Sequence, residues 1–158
     1  MKTLQIIDQA FLDRISLQAK ESSRKRKNFN FHGSESDLSH RLLNAIEPGT
    51  YIPPHRHLDP NKDESMVMVR GKMGAVFFDA DGNITQTAVL SAGGAVGAIN
   101  IPYGTFHSLV ALESDTVFFE AKAGPYALLT ADERAPWAPQ EGETGAVEYL
   151  SKLESLFS

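Results

Sequence analysis

The sequence predicts an all-β fold, a small sandwich or closed barrel, with one helix ahead of it and one behind. Three observations predict it. Short apolar runs recur between residues 41 and 121, separated by turn signals roughly every eight to twelve residues. Pro48-Gly49 and Asp81-Gly82 punctuate those runs, the second being a strong hairpin signal. Apolar spacing of three and four, the mark of an amphipathic helix, occurs only near the two ends of the chain.

Residues 4–20 carry Leu4, Ile7, Phe11, Leu12, Ile15 and Ala19 at helical spacing, with Thr3 placed to cap them. That stripe is expected to cover the outside of a sheet. After the basic turn at residues 22–27, Asn28-Phe29-Asn30-Phe31-His32 alternates at period two and predicts a short strand with an apolar and an amide face. Residues 33–39 read as a loop and 41–47 as a strand. The prolines of the extended run 50–54 exclude it from a central ladder position, and the polar loop 58–63 is expected to return the chain over a pocket mouth.

Strands are then predicted at residues 65–70, 73–80, 84–90, 97–101, 106–112 and 116–121, with a loose loop at 92–95. Met66 and Met68 share a face with Glu64, and Val67 and Val69 take the other, so both faces are expected to be covered. The two methionines read as core filling rather than metal ligands. Beyond Gly124-Pro125 the β pattern stops. Trp137 is expected to plug a groove on the barrel, and residues 143–157, with Val147, Leu150, Leu153 and Leu156 or Phe157, to form a closing helix. The expected division of the single domain 1–158 is a helix and arm at 1–39, a barrel core at 40–125, and an irregular segment with its helix at 126–158.

A chain of 158 residues with 42% hydrophobic side chains can bury a substantial core. The absence of Cys excludes disulfides, zinc ribbons and thiol nucleophiles, and fits a reducing compartment. Asp8 and Asp13 interrupt the N-terminal apolar stretch, and no later run approaches the roughly 18 residues of a membrane span. A cytoplasmic protein with no membrane partner is the expectation. The net charge of −5 argues against nucleic acid as a partner, although Arg24 to Lys27 is locally basic.

The chemistry concentrates in two segments, His55-Arg56-His57 and Pro102-Tyr103-Gly104-Thr105-Phe106-His107. In an extended chain, side chains two apart point the same way, so His55 and His57 form a bidentate metal grip. Glu64 and His107 offer a third and a fourth ligand. The resulting three-nitrogen, one-oxygen set suits one divalent ion, with zinc, iron, manganese and nickel all acceptable. A His-x-His pair alone is often a surface feature. Here Gly49, Gly71 and the Pro-x-Gly-x-x-His turn accompany it, which a solvated face does not explain. Structural zinc sites are closed and rich in Cys, so this metal is expected to touch substrate.

Secondary candidates surround that set. Lys62 is either a solvated loop lysine or an acid, base or clamp beside a bound substrate, and Tyr103 either an aromatic rim residue or a second acid or base. Arg26, Asn28 and Asn30 either belong to an edge strand after a solvated turn or edge the pocket and hold an anionic or hydroxylated ligand. His32 reads as a surface or hydrogen-bonding residue.

These residues resemble the cupin superfamily. Gly49, His55, His57, Glu64 and Gly71 match its first motif, and Gly97, Pro102, Gly104 and His107 its second. The spacer from His57 to Glu64 is six residues where three or four are usual, which keeps Asp63 and Asp59 as alternatives for the acidic ligand. Gly97 lies one residue nearer the Pro than the pattern asks, and Ala111 stands where an Asn is usual. More narrowly, residues 26–32, 42–45, 54–57, 124–126 and 137–139 resemble the WbuC-type cupin metalloproteins. The resemblance implies a double-stranded β-helix, a jelly-roll barrel, with one metal ion, a small-molecule substrate and a homodimer, and its name points to surface-polysaccharide biosynthesis.

Three functions compete on the sequence. One is a metal-dependent isomerase, epimerase, lyase or oxygenase acting on a small hydroxylated or carboxylated molecule, sugar-derived if the resemblance holds. Another is a non-catalytic protein that binds a metabolite through the metal. A third is a barrel serving as scaffold, which intact ligand positions argue against.

Overall fold

A computed structural model describes residues 3–158. Helix α1 (Gln9–Glu21) precedes eight strands: β1 (Arg26–Asn30), β2 (Ser39–Ile46), β3 (Glu64–Arg70), β4 (Lys72–Phe78), β5 (Ile84–Ser91), β6 (Ala98–Ile101), β7 (Phe106–Ala111) and β8 (Thr116–Ala123). A 3-10 turn, Ala131–Glu133, and helix α2 (Ala146–Ser155) follow. The strands form two antiparallel sheets, ordered β1-β2-β8-β3-β6 and β5-β4-β7. Their inner faces enclose Ile46, Met66, Met68, Met73, Leu90, Leu109 and Phe118, as a jelly-roll barrel requires. Met66 and Met68 are buried there as core filling.

The outer face of the larger sheet is covered at one end only. Leu12, Ile15 and Ala19 of α1 pack on Leu43, Ala45 and Val117, with Phe11 edge-on to Phe29 of β1 at 4.8 Å. Burial of each large side chain contributes about 1.5 to 3 kcal/mol. Beyond the reach of α1, Val67 and Val69 of β3 stay 47% and 37% exposed, so the expectation of two covered faces fails at this strand. Strand β1 begins two residues earlier than predicted but keeps the alternation: Phe29 meets α1, and Arg26, Asn28 and Asn30 take the opposite face.

The helix also starts later than its apolar spacing suggests. Asp8, not Thr3, caps it, the carboxylate accepting the Phe11 N–H at 2.8 Å. Leu4 and Ile6 are 89% and 74% exposed, so no burial drives another turn upstream. At the other end α2 is shorter than predicted. Ala146, Leu150, Leu153 and Phe157 face the small sheet, while Val147 is exposed. The ring of Phe157 sits where a Cβ on Gly74 would be, 2.4 Å away. Trp137 fills a groove beside the β4–β5 hairpin, packed on Phe78 and Phe106 and donating its indole N–H to the Ala80 carbonyl at 3.1 Å. Among the described residues no helix is long and apolar enough to cross a membrane.

Candidate functional site

His55 and His107 meet as an isolated antiparallel bridge, His55 N–H to His107 O at 3.1 Å and His107 N–H to His55 O at 2.9 Å. The bridge pins the proline-rich run that carries His55 to β7, and it leaves the two ring centroids 4.6 Å apart. Each imidazole donates its Nδ1–H to the carbonyl two residues upstream, Pro53 and Thr105 respectively, both at 2.9 Å. A carbonyl can only accept, so the neutral tautomer is fixed with a lone pair on Nε2.

Glu64, the first residue of β3, supplies the carboxylate. Its Oε1 lies 3.0 Å from His57 Nε2 and accepts from Lys122 Nζ at 2.9 Å. Its Oε2 lies 2.8 Å from His107 Nε2, and it is a buried oxygen that accepts no hydrogen bond. An orphaned, buried carboxylate oxygen is costly unless a positive charge meets it. His55, His57 and Glu64 bring ligand atoms within 4.8 Å of one another, a group able to hold a metal ion, and the His107 ring adjoins them. The donor set therefore fits a divalent cation: two imidazoles and a carboxylate with an oxygen left without a partner.

At His55 the electrostatics agree with the geometry. Burial, reinforced by the neighbouring His107, pushes His55 down to about 3, so that ring is neutral at physiological pH. Burial opposes ionisation of Glu64, but His107, His57 and Lys122 outweigh it and hold the carboxyl well below its usual range. His107 is raised, its contact with Glu64 prevailing over complete burial. Glu120, on β8, is pushed up to about 7 by burial and by the charge of Glu64.

These groups open into a cavity of about 510 Å³. All five histidines of the chain line it. Arg26, Asn28 and Asn30 lie on its wall, as does Lys62, whose Nζ donates to the Pro125 carbonyl at 2.8 Å. His32 is buried against His40, the rings stacked at 4.0 Å, and its Nδ1 accepts the Arg41 N–H at 3.2 Å. Tyr103 is half exposed and lies outside the cavity wall, its backbone N–H donated to Asp63 Oδ1 at 2.8 Å. That bond occupies Asp63, and Asp59 accepts from the backbone of Asn61, so of the three carboxylates in this segment Glu64 is the one that reaches the imidazoles.

The sequence reading missed a buried polar row beside Glu64. Lys122 Nζ lies 3.8 Å from Glu120 Oε1, and Asn44 Nδ2 donates to Glu120 Oε2 at 3.0 Å. A signal existed: Phe118, Glu120 and Lys122 alternate along one face of β8, so two charges share a face with a buried ring. Their partners, however, come from β2 and β3, which only the strand order brings alongside.

Comparison with known proteins places this geometry in context. Among solved structures the chain is similar to CapF in complex with the inhibitor 3-isopropenyl-tropolone, at 18% identity and a TM-score of 0.55 over 71% of this chain and 31% of that one. It is similar to the conserved SPY1581 protein of unknown function from Streptococcus pyogenes, at 14% identity and a TM-score of 0.53 over 80% and 93%. A cupin superfamily protein from Desulfitobacterium hafniense shares 12% identity at a TM-score of 0.48 over 62% and 76%. For the first two of these the likeness is one of fold. Curated proteins give no match. The model of the family described as "Domain of unknown function (DUF6016)" matches residues 7–90, a stretch that carries His55, His57 and Glu64, and the chain belongs to that family.

Proposed function

We propose that the cavity is the active site of a metal-dependent enzyme acting on a small hydroxylated or carboxylated molecule, with His55, His57, Glu64 and His107 holding one divalent ion. One observation carries the reading: Glu64 Oε2 is buried without a hydrogen bond beside rings whose Nδ1 protons are already committed to carbonyls. When bound, zinc, iron, manganese or nickel supplies Lewis acidity toward a substrate oxygen.

The chain's own groups do the rest. Lys122, at 2.9 Å, keeps the Glu64 carboxylate ionised and oriented. The Glu120 carboxyl, steadied by Asn44, stands on the cavity wall where it can hold or return a proton. Lys62 has two ammonium protons left for an anionic group at the mouth. Met66, Leu109 and Phe118 form an apolar wall that excludes water and strengthens each of these interactions. Isomerisation, epimerisation and elimination suit this arrangement better than oxygenation, since each moves a proton beside a polarised carbonyl. The resemblance to WbuC-type cupin metalloproteins supports a sugar-derived substrate.

The test begins with protein purified without added metal and analysed for bound ions by mass spectrometry. The metal-loaded protein is then screened against sugars, sugar acids and keto acids. Product in excess of protein supports an enzyme; saturable binding without product would establish a binding protein instead, and absence of stoichiometric metal would overturn the site.

A further inference from the structure

We infer that the ligand of this cavity is extended and polyhydroxylated, with a metal-chelating end at Glu64 and an uncharged body of at least one sugar ring reaching β1. The inference rests on the proposed metal site and adds the length and charge of what binds there. Polar residues cross the inner face of the larger sheet on a diagonal line from Glu64 through Glu120 and Asn44 to Asn28, with Met66, Leu42 and Phe118 beside them. Glu64 opens β3, and Glu120 on β8 is paired with Met66 of β3 and with Leu42 of β2. Asn44 of β2 is paired with Asn28 of β1, and Asn30 with Leu42. Three strand spacings separate β3 from β1, about 14 Å at the usual interval of roughly 4.8 Å. A single hydroxy acid occupies only part of that line.

The far end reads hydroxyl groups rather than anions. Among the described residues the Asn28 and Asn30 amides make no side-chain hydrogen bond, although both line the cavity. An amide offers two donors and an acceptor, which matches a hydroxyl group, whereas phosphate uses donors alone. The two arginines at that end, which would attract phosphate, are already engaged. Arg24 donates to Glu141 at 2.6 and 3.0 Å, and Arg26 donates to the same carboxylate and also to Thr50 Oγ1 and the Tyr51 carbonyl. The stacked, buried rings of His32 and His40 line the same cavity and add a flat surface.

Calorimetric titration of the metal-loaded protein with gluconate and with the aldobionates lactobionate, maltobionate and cellobionate tests this. All four share a hydroxy-carboxylate end, and the last three add one neutral ring. At least one aldobionate is expected to bind about tenfold or more tightly than gluconate. That ratio should collapse toward one in the Asn28→Ala/Asn30→Ala double variant, with circular dichroism confirming its fold. Gluconate binding with no gain from the second ring overturns the extended ligand and leaves the metal site standing. A gain of similar size from 6-phosphogluconate overturns the uncharged body. Failure of all probes to bind protein that does hold metal overturns both this inference and the hydroxy-acid reading of the site.

Discussion

His55 and His107 accept each other's backbone N–H while each commits its own Nδ1 to a carbonyl two residues upstream. The pairing is a backbone feature, so it survives loss of either side chain. Replacing His55 or His107 by Ala, or Glu64 by Gln, is therefore expected to lower metal content by about tenfold or more while leaving a folded protein. Metal analysis beside circular dichroism checks this, and unchanged occupancy would falsify the ligand assignment.

Glu120 gives a pH-dependent signature. Its folded pKa of about 7 lies above the ordinary carboxylate value, so the stability tied to its neutral form is complete below about pH 4.5 and is lost as pH rises through 7. In metal-free protein, Glu120→Gln should gain on the native chain by about 3 kcal/mol between pH 4.5 and 8. Urea melts at the two pH values measure it. A parallel pH dependence in the two proteins would show that Glu120 is ionised in the fold.

Glu141 titrates in the opposite sense. Its bonds to Arg24, and then to Arg26, hold it down at about 2, so its contribution is present above about pH 4.5 and disappears as pH falls toward 2. The carboxylate is a third exposed, and solvent screening limits its worth. Glu141→Gln is expected to cost about 1 kcal/mol at pH 7 and low salt. The cost should shrink at high salt and vanish near pH 2; denaturant melts across that range would expose an equal loss everywhere as a packing effect.

Gly74 tests how α2 is seated. A Cβ there would overlap the Phe157 ring, so Gly74→Val should displace the ring and destabilise the protein by about 1 to 3 kcal/mol. Phe157→Ala in the same background should recover part of that loss. Additive losses in the double variant would mean that the two positions do not touch.

The histidines of the candidate site were legible because their geometry is local. His-x-His fixes two side chains on one face of an extended segment, and Pro102-x-Gly104 turns the chain into His107, with Gly104 at φ +80°. Asn44, Glu120 and Lys122 were not, because their partnership exists only in the order β2-β8-β3, which no spacing along the chain encodes. The exposure of Val67 and Val69 escaped for a related reason: a strand's alternation reveals two faces but not whether a helix reaches the second. At the N-terminus, apolar spacing from Leu4 onward outran the helix, and the better start signal was Asp8 itself.

Every imidazole in the chain borders one chamber. Ring C–H resonances in a proton spectrum, or the spread of carbethoxylation by a histidine-selective reagent, consequently carry no background from elsewhere in the molecule. Occupancy, solvent entry and ligand arrival can be followed there without introducing a label.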